Sequence, residues 1–155
     1  MKVELEDQVL TVGWRYPNPE LEHQMVLHGL NPANLKKMTQ PMICLTLGIK
    51  PKDLPVSLIT ECIILNNAKE VVVKTAVTRF YKDPHNKNKA RVYALSKAIN
   101  ELYPTPYTEV DRRELTVDQR TEIQRIRDIR KKFWDVYNSR SQKKVPEPVP
   151  ETQEA

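Results

Sequence analysis

Four residues near the middle of the chain carry the groups that chemistry would need. Asp83, His85, Lys87 and Arg91 fall within nine positions of one another. His85 beside two cations could act as a general base next to bound phosphate, as in a small nuclease. The plainer reading is structural. Asp83, Lys87 and Arg91 recur at intervals of four and would align on a helix, with Asp83 capping its first turn and pairing with Lys87. Pro84 would take the first helical position, and His85 would be a loop residue. In a functional reading Lys87 and Arg91 face a partner's carboxylates or phosphates, either of which suits the forked guanidinium.

A second set lies further on. Arg127, Arg130 and Lys131 cluster with Trp134. Aromatic and Arg side chains dominate interface energetics, with central anchors worth about 2 kcal/mol or more. A basic stripe can equally be only a solvated helix flank. Trp14 and Tyr16 are large rings near the end of a predicted strand. They suit core or edge packing, or a platform for a base or a partner.

The sequence contains no G-x-S-x-G, no H-E-x-x-H and no C-x-x-C, and its three glycines leave no Gly-rich phosphate loop. His23, His28 and His85 are scattered. Cys44 and Cys62 sit in apolar runs and read as buried thiols. The expectation is a protein that is not an enzyme, with no cofactor, no metal and no small-molecule substrate. No apolar run approaches membrane-spanning length, and the N-terminus lacks the apolar stretch of a signal peptide. Both point to an intracellular protein without membrane contact.

The net charge is +5, unevenly spread. Residues 112–144 carry eleven Lys and Arg against five Asp and Glu, whereas residues 145–155 carry three Glu and no cation. The last predicted helix therefore holds the positive excess, which favours nucleic acid or an acidic protein surface as partner.

The elements that must position these groups follow from local pattern. Residues 2–16 read as strand, with a turn at Glu6-Asp7-Gln8. Residues 17–55 read as an inserted segment: a helix from Glu20 to His28 stopped by Gly29, a second from Pro32 to Met38, and a short apolar run, Met42–Leu47, taken as strand or buried turn. An insertion is free to carry a protein's own specificity. Val56–Leu65 and Lys69–Phe80 form the strongest strand signals, joined at Asn66-Asn67. A helix should run from Asp83 to Leu102, with Ala90, Ala94 and Ala98 on a narrow face beside Leu95 and Ile99. Thr116-Val117-Asp118-Gln119 is a capping box opening a last helix to about Asn138, with a stripe of Ile123, Ile126, Ile129, Phe133, Val136 and Tyr137. From Ser139 the pattern stops, and residues 139–155 read as a disordered tail. The predicted fold is α+β in a single domain, residues 1–138: a small antiparallel sheet packed by two C-terminal helices, with an inserted α-rich segment.

Asp83–Ile99 (D-P-H-N-K-N-K-A-R-V-Y-A-L-S-K-A-I) resembles a D-x-F-x-K-x-x-G-R-x-x-A-L-x-R-A-L segment in a family of small bacteriophage proteins, where it follows a hairpin and precedes a helix with a tryptophan. Asp83, Lys87, Arg91, Ala94, Leu95 and Ala98 match. Lys97 and Ile99 are conservative changes, while His85 replaces the aromatic and Ala90 the glycine. The chain's general look is also similar to phage inhibitors of transcription, of the kind made by a Thermus phage. These bind host RNA polymerase at the β-flap and σ region 4. The resemblance implies a regulator in the host cytoplasm whose partners are the polymerase β subunit and the σ factor. A basic nucleic-acid-binding module is the alternative.

Overall fold

The computed structural model describes residues 1–79 and 86–143, the last three by backbone alone. The fold is α+β. Strands β1 (Lys2–Glu4), β2 (Val9–Arg15), β3 (Ile59–Leu65) and β4 (Val71–Thr78) form one antiparallel sheet in the order β1-β2-β3-β4. Alternation assigns the two faces. Val12 pairs with Ile64, Trp14 with Cys62 and Cys62 with Thr75, placing these side chains on the covered face. Arg15, Glu61 and Lys74 lie on the open face, where Glu61 meets Arg15 at 3.2 Å and Lys74 at 3.4 Å.

The turn between β3 and β4 differs in detail from expectation. The left-handed residue is Lys69, with φ 62°, rather than either asparagine. Asn66 instead accepts hydrogen bonds from the amides of Ala68 and Glu70, holding a loop longer than two residues. A bulge follows, since Leu65 pairs with Val71 but Ile64 pairs with Val73. The bulge turns Val71 outward while Val73 and Thr75 stay buried.

Helix α1 (Pro19–Leu27) is capped by Asn18 and helix α2 (Gln40–Leu47) by Thr39. A 3-10 turn, Pro32–Lys37, lies between them. Helix α2 corrects the reading of Met42–Leu47 as strand or turn. Thr39 supplies the cap, a proline sits in the first turn, and Gly48 takes a left-handed φ of 68° at the end. The segment has its own core of Leu21, Met25, Ile43 and Leu47, with Leu30, Leu35, Met38, Ile49 and Leu54 packed around it. Its two ends are tied together: Asn18 donates to the Pro55 carbonyl at 3.0 Å, and Ser57 to the Pro17 carbonyl at 2.7 Å.

Helix α3 (Lys87–Leu102) starts later than the sequence suggested. Its cap is Asn86, whose side chain accepts from the Lys89 amide. Asp83, Pro84 and His85, expected to open the helix and line a site, lie outside the described residues. Ala94, Leu95, Ala98 and Ile99 are buried against β3 and β4. The narrow alanine face brings the helix close enough for the Thr75 hydroxyl to donate to the Ala94 carbonyl at 2.7 Å, satisfying a buried polar group. Helix α4 (Val117–Lys143) opens on the expected capping box. Gln119 N donates to the Thr116 hydroxyl, and Thr116 N to the Gln119 side chain. It continues through 139–143, which the sequence pattern had assigned to a tail. Residues 144–155 lie outside the described ones. Its apolar stripe brings Phe133 and Tyr137 into the main core with Val3, Leu10, Val12, Cys62, Ile64 and Leu95.

Candidate functional site

The end of β2, the first two turns of α3 and the C-terminal half of α4 meet at one edge of the main core. Strand alternation directs Trp14 to the covered side, where its indole N–H donates to the Arg91 carbonyl at 3.2 Å. Two residues on, the Tyr16 hydroxyl accepts from Nε of Arg91. The Arg91 guanidinium therefore lies between two rings, its carbon 5.4 Å from the Trp14 centroid and, at the hydroxyl edge, 5.7 Å from that of Tyr16. Lys87 lies one turn earlier on the same helix face, its ammonium 4.9 Å from the Tyr16 ring. Arg140 arrives from α4, 5.6 Å from Trp14.

More rings support this arrangement from beneath. Tyr137 packs edge-on against Trp14 at 5.8 Å and against Trp134 at 6.1 Å. The Tyr137 hydroxyl donates to the Asn88 side-chain oxygen, linking α4 to α3. Burial pushes its pKa up, and the nearby Arg91 and Arg140 oppose this. Cation–ring contacts contribute about 0.5–2 kcal/mol each, more where water is excluded. They hold Lys87, Arg91 and Arg140 close together despite mutual repulsion. Among the described residues, no carboxylate lies within ion-pairing distance of any of the three. The result is a positive patch, without an ion-paired carboxylate among the described residues, with partly exposed aromatic rings, suited to gripping an anionic surface.

The sequence-derived candidates divide. Lys87 and Arg91 belong to this cluster. Trp134 belongs to its supporting layer, half-buried against the core. Arg127, Arg130 and Lys131 do not join it, so the expected single basic flank is three separate environments. Arg130 is a strut: it donates to the Asn100 side chain, to the Thr105 hydroxyl at 3.0 Å and to the Tyr103 carbonyl at 3.4 Å. Lys131 meets Asp135 at 3.4 Å across an exposed helix turn, an interaction of small worth. Arg127 lines a cleft beside the start of α4.

Sequence reasoning missed Arg140, because the segment from Ser139 was read as tail, and Asn88, whose role depends on a partner 49 positions away. The position of Arg140 three residues after Tyr137 was the one available signal. Among the described residues no cluster of His, Cys, Asp or Glu could hold a metal ion. Cys44 and Cys62 are both free and buried. Burial pushes the Cys62 thiol up to about 12. No helix among the described residues is long and apolar enough to cross a membrane. Comparison of the chain with protein-family profiles, with curated proteins and with solved structures gives no match.

Proposed function

We propose that this protein is a phage-encoded regulator that acts by binding, and that its cation–aromatic face docks on an acidic macromolecular surface. One observation carries the reading: Lys87, Arg91 and Arg140 are held on the rings of Trp14 and Tyr16 with no carboxylate within ion-pairing distance among the described residues. Groups so prepared lose little freedom on meeting a partner, which raises affinity. The chain's general likeness to phage inhibitors of transcription, rather than the segment resemblance at Asp83–Ile99, supplies the target, host RNA polymerase at the β-flap and σ region 4. The mechanism is displacement. Holding σ away from its seat on the flap denies contact with the −35 element and leaves the polymerase catalytic centre untouched. Capture from host lysate on the immobilised full chain tests this. Recovery of the β subunit and σ, lost with Lys87→Ala/Arg91→Ala, supports it, and recovery of no polymerase subunit refutes it.

The second reading is nucleic-acid binding. The pairing of arginines with partly exposed rings favours it, since stacking and phosphate contacts use the same groups. It requires an affinity for duplex or single strand that falls steeply with salt as counterions are released. The absence of any gel shift at low ionic strength disposes of it.

A further inference from the structure

The loop that follows α3 folds back over the first turns of α4 and leaves a cleft of about 560 Å³. That volume is within the range of pockets for small organic ligands, about 300–1,000 Å³. Its charged lining is Arg112 from the loop and Arg120 and Arg127 from α4. Arg120 and Arg127 lie seven residues apart, two turns along one helix face. Arg120 donates to the Arg112 carbonyl at 3.2 Å, which ties the helix wall to the loop wall. No Asp or Glu lines the cleft, and none pairs with these three arginines within 4.0 Å among the described residues. Glu109, Asp111 and Glu114 occur in the same loop without lining it.

The remaining lining is mixed. Val110, Leu115 and Ile123 are apolar, and Tyr107 adds a ring that is 40% exposed. Tyr107 holds a left-handed φ of 58°. A non-glycine residue there costs roughly 1–2 kcal/mol and persists only where its surroundings hold it. The other wall is fixed by Arg130, which donates to Thr105, itself part of the lining. A cleft lined by three arginines, three apolar side chains and one accessible ring matches a ligand with a polyanionic end and a flat end. We propose that this cleft binds a nucleoside di- or triphosphate, with Arg112, Arg120 and Arg127 on the phosphates and Tyr107 against the base, as a bound ligand rather than a substrate.

Isothermal titration calorimetry of the full chain at near-physiological salt tests this with ATP, tripolyphosphate and adenosine as probes. ATP should bind, adenosine at least about tenfold more weakly, and tripolyphosphate measurably but more weakly than ATP. Arg120→Gln/Arg127→Gln should weaken ATP binding by about tenfold or more in a protein that still melts cooperatively, and Arg127→Gln alone, which leaves the Arg120 tie to the loop in place, should weaken it measurably. Lys87→Ala/Arg91→Ala should leave ATP binding as it is, so this site and the partner-docking face stand or fall separately. No heat with ATP at millimolar concentration overturns the proposal, as does equal binding by the Arg120→Gln/Arg127→Gln protein. Tripolyphosphate binding as tightly as ATP overturns the assignment of Tyr107 to a base.

Discussion

At the residue scale, two arginines of the same type and similar sequence setting have opposite roles. Arg91 lies between two rings in the positive patch, whereas Arg130 is consumed by three acceptors at the junction of α3, its following loop and α4. Arg130→Ala should lower stability by about 1–2 kcal/mol, as expected for lost charge-assisted hydrogen bonds, and leave partner capture intact. Arg91→Ala should weaken capture at least about tenfold. Denaturant melts and capture yields on the two variants check the pair, and equal effects on both readouts would contradict the division. Cys62 gives a test by pH. Its thiol titrates near 9 when exposed and near 12 in the fold, because burial disfavours the thiolate. The unfolded chain therefore loses its proton first as pH rises. The contribution from Cys62 is fully present below about pH 9 and is lost between about 9 and 12. Urea melts at stepped alkaline pH should show this fall, diminished in Cys62→Ala, and a thiol reagent should label Cys62 only after unfolding.

At the element scale, the two hydrophobic clusters share no residue. The inserted segment should therefore open separately from the sheet. Met25→Ala, which removes a side chain 1% exposed in the smaller core, should speed amide exchange across residues 19–54 and leave β3 and β4 protected. Equal acceleration in both regions would show a single cooperative unit. Phe133→Ala acts on the larger core, where Phe133 is fully buried, and should cost about 3–5 kcal/mol globally, read as a melting temperature lowered by roughly 10 °C. Much of this layout was legible in the chain. β-Branched runs, the Thr116–Gln119 box, the alanine spacing of α3 and the apolar stripe of α4 are local signals that local structure obeys. Helix α2 was not, because a short apolar run has no periodicity that separates strand from buried helix. The start of α3 lies at Lys87, where the Asn86 side chain supplies the cap, a role any of several polar residues before the helix could have filled on sequence alone. The patch itself had almost no local signature, since it joins residues 14, 16, 87, 91 and 140 across the fold.

At the scale of the whole molecule, two separate groups of three cations have no ion-paired carboxylate among the described residues. The patch of Lys87, Arg91 and Arg140 lies beside β2, while Arg112, Arg120 and Arg127 lie at the cleft by the start of α4. A partner held by the first alone should lose affinity with salt according to a few charges, and neutralising Arg120 and Arg127 should not change that slope. A partner spanning both would show a slope reduced in either variant. The most direct measurement is quantitative capture of polymerase subunits from nuclease-treated host lysate, with the unaltered full chain compared with Lys87→Ala/Arg91→Ala at matched melting temperature. The β subunit and σ should be recovered by the unaltered protein and reduced at least about tenfold by the variant. Recovery of no polymerase subunit, or equal recovery by both proteins, would contradict a regulator that works through this face.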